Sequence, residues 1–307
     1  MRPWIASCHL FRYPGRESIA GFHMLCWRPA VQRFVHMETV MPRYRMFAAI
    51  LAATMFSASP FARAQPGPCA ATRAAMALTP QQKAEGWTVL WDGTSTDAWR
   101  SVKSDRFPEH GWRTCDGLLT MAGKGGEESR GGGDIITRKR YADFELTLDA
   151  RLTPGANSGV KIFTQPNLAP IDKVTGKPAA VGSAIGLEFQ LLDDERHPDA
   201  KLGRNGNRTI GSLYDLIPAA KDKVSAPIGQ WNHVRILSQG NTVTFWLNGR
   251  KTVEFERGSA AFREAVAASK FRDIPGFGEW ADGHILLQDH GDEVAFRHIL
   301  IRDLHGK

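Results

Sequence analysis

Short runs in which apolar or aromatic residues alternate with polar ones recur along the chain after residue 86. Runs of four to nine residues with this period predict β-strands, and clusters of Gly, Asn, Asp and Pro between them predict turns. We expect strands over Trp87–Trp91, Gly117–Met121, Asp134–Thr137, Phe144–Leu152, Gly159–Phe163, Ile185–Leu192, Val234–Leu237, Thr242–Leu247, Thr252–Phe255, His284–Gln288 and Val294–Ile301.

Two helices and a hairpin complete the pattern. Thr79, Pro80 and Gly86 are typical of the cap, first turn and end of a short helix, and a second helix is predicted over about 259–270. The Asn-Gly pair at 248–249 predicts a type I′ hairpin, because both residues tolerate positive φ. Many strands without βα alternation favour an all-β jelly-roll sandwich of two antiparallel sheets, with one or two short helices.

The first 64 residues show a different pattern. Residues 1–40 have no helical or strand period, and we expect a mis-assigned start or a disordered extension, with translation beginning at Met41. Residues 41–64 have the features of a signal peptide, since Arg43 and Arg45 precede a short apolar run and Ala-Arg-Ala ends the segment. That run is too short to span a bilayer. We therefore expect a periplasmic or secreted protein with a flexible segment at 65–78 and one domain at 79–307.

The basic charge belongs to this leader. The formal net charge is +7, but residues 1–64 hold eight Arg and only two acids, and the rest of the chain is close to neutral. A nucleic-acid partner is therefore not expected, nor is a membrane partner once the signal is cleaved. Cys69 and Cys115 remain after cleavage. In an oxidising compartment they could form a disulfide or stay separate thiols, and their spacing alone does not decide.

Candidate chemistry begins in the predicted strand 185–192. Its apolar residues share one face, so Glu188 and Gln190 point away from the core beside the small Gly186. Gln288 and His290 likewise share a face near the end of the chain. On a convex surface these four polar side chains would only be solvated. In a common hollow they would suit a sugar ring, whose hydroxyls need fixed donors and acceptors.

Further candidates lie outside those two strands. Lys161 interrupts an apolar strand, where it is either functional or a surface lysine with a buried stem. Trp246 could stack against a pyranose or cap a sheet edge. We include Asn157 and Tyr214 as substrate-binding candidates.

A divalent metal ion is the only cofactor that the pattern suggests. The loop 193–199 concentrates acids and a histidine, as a metal site might, but it lacks the ligand spacing of an EF-hand or a zinc site, so a solvated turn is the favoured interpretation. The candidate ligands are Glu188, His290 and Asp193. The motifs of serine esterases, phosphate-binding loops and zinc proteases are missing from the sequence.

Seven short motifs together resemble one family. They are Trp87–Gly93, Asn157–Gly159, Gly186–Gln190, Gly229–Asn232, Leu247–Gly249, Gly283–Gln288 and Phe296–Arg297. In this order, over about residues 85–304, they resemble the 3-keto-disaccharide hydrolase domain family, formerly a domain of unknown function. The resemblance implies a concanavalin A-like sandwich, export, and cleavage of glycosides oxidised to a ketone at C3. The chain departs from the family at His298, where Asn is usual, and at Lys161.

A C3 ketone defines the chemistry that the site would need. It acidifies the proton on C2, so that a base can remove it, the C1 substituent can leave by elimination, and water can then add. Glu188 or His290 would be the base, and Lys161 would stabilise the enolate oxygen or the leaving group. Gln190 and Gln288 would bind hydroxyls. Alternatively, a divalent metal held by Glu188 and His290 would replace Lys161 as electrophile.

Three other functions remain open from the sequence. An ordinary glycosidase fits less well, because the residue two positions after Glu188 is an amide instead of a second acid. A non-catalytic glycan-binding module would use Trp246 and tolerate loss of Glu188. An adhesive or structural domain would have no pocket.

Overall fold

Two antiparallel β-sheets form the body of the protein. The computed structural model describes residues 76–125, 132–168 and 183–304. The predicted extension at 1–40, the signal peptide at 41–64 and most of the segment at 65–78 lie outside these residues. Among the described helices, none has the length and apolar character needed to cross a bilayer.

Eight strands belong to the larger sheet and five to the smaller one. The larger sheet contains β1 (Trp87–Trp91), β3 (Trp112–Cys115), β4 (Leu118–Met121), β6 (Phe144–Leu152), β9 (Trp231–Gln239), β10 (Thr242–Leu247), β11 (Arg250–Glu256) and β13 (Val294–Asp303). The smaller sheet contains β2 (Trp99–Ser101), β5 (Ile135–Thr137), β7 (Asn157–Gln165), β8 (Ile185–Leu192) and β12 (His284–Leu287).

The strand orders place distant parts of the chain side by side. The larger sheet runs β11-β10-β9-β6-β13-β4-β3, with β1 also paired to β13, and the smaller runs β2-β5-β12-β7-β8. Phe189 of β8 packs on Phe245 of β10, with ring centroids 5.2 Å apart, so the core lies between the sheets. The predicted all-β sandwich of two antiparallel sheets is confirmed.

Most local elements follow the sequence pattern. Helix α1 (Pro80–Ala84) begins after a capping box at Thr79, and helix α2 (Ala260–Ala267) begins after Ser259, whose hydroxyl accepts the Phe262 amide. Asn248 and Gly249 have φ of 49° and 80°, as the predicted hairpin requires. The strands β2 and β3 were not predicted, because they are only three and four residues long and show no clear alternation.

A bulge in β13 explains one departure from the family pattern. The register with β6 shifts between Arg297 and Leu300, and His298 within the bulge has φ of 51°. Left-handed backbone favours Asn and tolerates His better than most other residues. The fold therefore accepts His298 where the family usually has Asn.

Cys115, at the end of β3, is disulfide-bonded. Cys69, the candidate partner, lies outside the described residues, so whether it pairs with Cys115 stays open.

Candidate active site

A cavity of about 770 Å³ lies on the outer face of the smaller sheet. Strands β7 and β8 and the residues after β12 provide its polar floor. Residues 197–202, which include the short 3₁₀ helix Pro198–Lys201, and the loop 270–274 provide its walls. A volume of this size is typical of small-molecule sites.

The structure brings most of the predicted site residues together around this cavity. Alternation along β8 directs its apolar residues into the core and leaves the intervening side chains on the outer face. The predicted residues that line the cavity are Asn157, Lys161, Glu188, Gln190, Tyr214, Gln288 and His290. Ser183 and Lys270, which the sequence pattern did not indicate, also line it, as do His197 and Asp199 of the loop 193–199.

Glu188 lies flat across the neighbouring strand because residue 159 is a glycine. A Cβ atom at Gly159 would sit 2.2 Å from Glu188 Oε1 and 2.7 Å from its carboxyl carbon. Real Cβ atoms do not approach other atoms so closely. The Asn-Ser-Gly motif of β7 therefore makes room for the carboxylate of β8.

A buried ion pair forms at the floor of the cavity. Lys161 Nζ lies 3.7 Å from Glu188 Oε2, and the two side chains are 8% and 6% exposed. Lys161 Nζ also donates to Ser183 Oγ at 2.5 Å and to the Ala184 carbonyl at 3.0 Å. These contacts hold the ammonium group beside the carboxylate instead of in solvent.

Asp134 is connected to this ion pair through the hydroxyl of Ser183. Ser183 Oγ donates to Asp134 Oδ2 at 2.5 Å, and the amides of Ala184 and Asp289 donate to its carboxylate at 3.1 Å and 2.9 Å. Complete burial raises the pKa of Asp134, and the charge of Lys161 only partly opposes this effect. Asp134 thus links the start of β5, the start of β8 and the end of β12.

The two glutamines, Gln190 and Gln288, differ in whether their side-chain amides find hydrogen-bond partners within the protein. With its amide nitrogen towards these acceptors, Gln190 donates to Glu188 Oε1 and the Ser158 carbonyl, both at 3.2 Å. Gln288 is 5% exposed, and its Oε1 has no hydrogen-bond partner among the described residues. Since buried polar atoms are rarely left unpaired, Gln288 is suited to receive a ligand donor.

Tyr214 is fixed in the cavity wall by ionic neighbours. Its hydroxyl donates to Asp199 Oδ2 at 2.7 Å, and Arg208 donates to Asp199 Oδ1 at the same distance. Burial alone would raise the pKa of Asp199, but these two hydrogen bonds hold it below its ordinary value. Lys270 Nζ lies 4.3 Å from the centre of the Tyr214 ring. The wall is therefore rigid and charged.

Two histidines and an aspartate meet at one end of the cavity. The rings of His197 and His290 are nearly perpendicular, with centroids 5.7 Å apart. One ligand atom from each of these histidines and from Asp292 lies within 4.8 Å of the other two. His290 Nδ1 is 3.9 Å from Asp292 Oδ2 and has no hydrogen-bond partner among the described residues.

Two predicted site residues lie elsewhere. Trp246 is on β10 of the larger sheet, where the Arg235 guanidinium stacks 4.0 Å from its ring centre, so it does not line the cavity. Asp193 does not line it either. Its side chain is 1% exposed, and its carboxylate accepts hydrogen bonds from the amides of Gly155 and Glu195 at 2.8 Å and 3.1 Å. Asp193 therefore closes a turn from a buried position, instead of being solvated or binding a metal in the cavity.

Comparison with known proteins identifies the family. The profile of the 3-keto-alpha-glucoside-1,2-lyase-like domain matches residues 86–302. The chain is 33% identical over 239 residues to a protein of Bacteroides thetaiotaomicron named 3-keto-disaccharide hydrolase, covering 72% of this chain and 79% of that protein. A crystal structure from Parabacteroides distasonis, described as a candidate glycosyl hydrolase, superimposes with a TM-score of 0.61 at 28% identity. It covers 75% of this chain and 99% of that one. The resemblance carried by the seven sequence motifs is confirmed, and the chain belongs to the family of 3-keto-alpha-glucoside-1,2-lyase-like domains.

Proposed function

We propose that this chain, a glycoside hydrolase-like enzyme by family, cleaves small glycosides that carry a ketone at C3. The observation that carries the proposal is the buried pair of Glu188 and Lys161 on the cavity floor, 3.7 Å apart. It places a proton acceptor and a cationic donor against the same substrate atoms. The name of the Bacteroides relative and the family's description as lyase-like support this choice of substrate class.

Glu188 serves as the base in this proposal. Lys161 and the Gln190 amide both stabilise its carboxylate form, and the gap above Gly159 fixes its direction. A general base has to be held within hydrogen-bond reach of the proton that it removes. Lys161 and Gln190 hold this carboxylate in place, and Gly159 leaves the space for it. His290 was the alternative base, but it belongs to the cluster with His197 and Asp292.

The proposed reaction runs in two stages. Glu188 takes the proton from C2, the C2 electrons form an enolate with the C3 carbonyl, and Lys161 stabilises the oxygen that gains charge. The C1–O bond then breaks, the departing oxygen takes a proton, and a C1–C2 double bond remains. Water adds to C1 and a proton returns to C2, so that one water molecule is consumed in the complete cleavage.

Neighbouring side chains fit the remaining needs of such a substrate. Gln288 offers an unpaired acceptor to a hydroxyl group, and Asn157 and Tyr214 line the same cavity. The other carboxylates of the lining fit an ordinary glycosidase poorly. Asp199 is already bound by Tyr214 and Arg208, and Asp273 lies in the wall. Paired carboxylates that flank one bond are the requirement of the ordinary mechanism.

Export to the periplasm or the medium is part of this proposal. The disulfide at Cys115 supports an oxidising compartment, in agreement with the signal peptide predicted at 41–64. Substrate at that location would be a free oligosaccharide or glycoside that another enzyme has oxidised at C3.

The test is incubation of the full chain with a 3-keto-disaccharide, with and without added Zn²⁺ or Mn²⁺, followed by measurement of the released monosaccharide. In D₂O, NMR reports exchange at C2 directly. Glu188→Gln should lower the rate of both processes by about 10²- to 10⁴-fold, the usual contribution of a general base.

Glu254→Gln is the matched control, because Glu254 lies on β11 of the larger sheet with 51% of its side chain exposed. It should keep the wild-type rate within about twofold. A folded wild-type protein that leaves the ketosugar unchanged under every metal condition would overturn the proposal. Full activity in Glu188→Gln would remove Glu188 from the mechanism, and glycan binding without cleavage would favour the non-catalytic module.

A further inference from the structure

We propose that His197, His290 and Asp292 form a binding site for a divalent transition-metal ion at the edge of the cavity. Their ligand atoms lie within 4.8 Å of one another, and both histidines line the cavity. This set differs from the metal ligands suggested by the sequence, which were Glu188, His290 and Asp193. Its role in catalysis rests on the proposed function, but its binding of metal does not.

The spacing of the three groups is close to that of a bound ion. Ligands about 2.1 Å from a tetrahedral metal are about 3.4 Å apart. His290 Nδ1 and Asp292 Oδ2 are 3.9 Å apart, so a shift of about half an ångström would bring these two atoms to that spacing, and the atom from His197 lies within 4.8 Å of both. Side-chain rotation alone can supply a movement of this size.

The state of each donor atom also fits. His290 Nδ1 is buried without a hydrogen-bond partner among the described residues, which leaves its lone pair or proton unused. Asp292 Oδ2 accepts only one backbone amide, that of Asn157 at 3.0 Å, and within the ion pairs of the described residues it meets no Lys or Arg.

His197 is the weakest of the three ligands. Its Nδ1 accepts the Asp199 amide at 3.2 Å, and ligation through this ring would give up that bond. We therefore expect His290 and Asp292 to contribute more affinity than His197. Two imidazoles and one carboxylate favour a first-row transition metal over Ca²⁺ or Mg²⁺, which prefer oxygen ligands.

Three protein ligands leave coordination positions open, and the two histidines turn these positions towards the cavity. A 3-keto sugar presents a ketone oxygen next to a hydroxyl group, a pair that can chelate a divalent cation. A metal here would polarise the ketone and so assist removal of the C2 proton by Glu188. A metal at this position would thus be a second electrophile beside Lys161.

A similar cluster on the other side of the protein provides a control. Asp149 of β6 accepts from His233 at 2.9 Å, His298 at 3.1 Å and Arg297 at 3.0 Å. The arginine already neutralises the carboxylate, and both imidazoles use Nδ1 to contact it. This cluster therefore contains the same residue types as the proposed metal site, but its carboxylate is already paired with an arginine and with both imidazoles.

The experiment is calorimetric titration of the full chain with Zn²⁺ and, separately, Co²⁺, after treatment with a chelator and its removal. The wild-type protein should bind one equivalent. His290→Ala and Asp292→Asn should each weaken binding by at least about tenfold, His197→Gln should weaken it less, and His233→Ala should bind as the wild type does. Thermal melting in chelator, where no metal binds, identifies any variant that fails to fold.

Absence of saturable binding to the wild type would overturn the inference. So would unchanged affinity in both folded variants, His290→Ala and Asp292→Asn, or an equal loss in His233→Ala. Cleavage of the ketosugar by metal-free protein at the full rate, together with no binding, would reject the metal site and leave the proposed function intact. Metal binding without cleavage of any 3-keto-disaccharide would support the metal site and reject the proposed function.

Discussion

The outer faces of the two sheets carry similar side chains, but they differ in whether unsatisfied polar atoms line a cavity. On the larger sheet, Arg302 Nε has no hydrogen-bond partner among the described residues, but Arg302 does not line the cavity. On the larger sheet, Trp231 stacks against Arg151 and Arg297, and Asp149 binds two histidines and Arg297. On the smaller sheet, loops enclose a cavity in which Gln288 Oε1 and His290 Nδ1 have no partner among the described residues. Unsatisfied polar atoms inside an enclosure, more than the residue types themselves, distinguish the candidate site.

The largest effect that would test this contrast is expected from Gly159→Ala. The new methyl group would occupy the position of the Glu188 carboxylate, 2.2 Å from Oε1, and would force that side chain to move. A displacement of about 1 Å can cost about 10²-fold in rate, so we expect a loss of this size in kcat for the ketosugar. Steady-state kinetics measure it, with circular dichroism and thermal melting as a check on folding.

A double variant separates positioning from misfolding. In a Glu188→Gln background, Gly159→Ala should add little to the loss of activity, because both changes act on the same group. If Gly159→Ala alone retains activity within twofold of the wild type, the fixed direction of Glu188 is not needed for the reaction.

The sequence pattern predicted the fold and the direction of the side chains that form the floor of the site. The two-residue period of 185–192 directs Glu188 and Gln190 away from the core, and β8 has the predicted bounds. The same reasoning could not distinguish the two outer faces, since alternation shows that Trp246 points outwards without showing which face is enclosed. Trp246 consequently lies on the larger sheet, away from the cavity.

Other parts of the site depend on long-range contacts that no local pattern reveals. Asp134 and Ser183 are 49 positions apart, and their hydrogen bond exists only because strands β5, β12, β7 and β8 assemble in that order. His197 comes from a loop before a short 3₁₀ helix, and Asp292 from a turn before β13. The loop 193–199 was recognised as rich in acids and histidine, but its buried Asp193 closes a turn, and His197 is the residue that reaches the cavity.

A smaller effect is expected from Ser183→Ala, which removes the hydroxyl between Lys161 and Asp134. Lys161 would keep the Ala184 carbonyl and Glu188, so the ammonium group would be less constrained but still present. Loss of one hydrogen bond to a charged group is worth about 1.5–3 kcal/mol, and we expect kcat to fall about tenfold or somewhat more, with KM nearly unchanged.

The pH profile of kcat tests the positioning role of Ser183. If the hydroxyl only fills space, Ser183→Ala will leave both the profile and kcat unaltered. The exposed Ser225 provides the matched control, and Ser225→Ala should have no effect on either quantity.

On the opposite face, Asp149→Asn should lower stability without lowering activity. Burial alone would raise the pKa of Asp149, but hydrogen bonds from His233, Arg297 and His298 bring it from 3.8 to about 2. A folded-state pKa below the unfolded value means that the contribution to stability is complete above pH 3.8 and is lost as the pH falls through about 2.

The raw shift corresponds to about 2.5 kcal/mol, and partial exposure of the histidines reduces our expectation to about 1–2 kcal/mol at pH 7. Urea unfolding of the wild type and Asp149→Asn at pH 7 and pH 2 measures this contribution. The difference in the free energy of unfolding should narrow at the lower pH. A difference that is the same at both values, or a kcat that falls with stability, would contradict the separation of the two faces.

The smallest effect on activity is expected from Trp246→Ala. The ring stacks on Arg235 on the outer face of the larger sheet, so its loss should leave KM and kcat for the ketosugar within twofold of the wild type. Loss of the cation–π contact at this partly exposed position should reduce the free energy of unfolding by about 0.5–1 kcal/mol. Glycan affinity of the wild type that disappears in Trp246→Ala would instead indicate that the larger sheet binds carbohydrate.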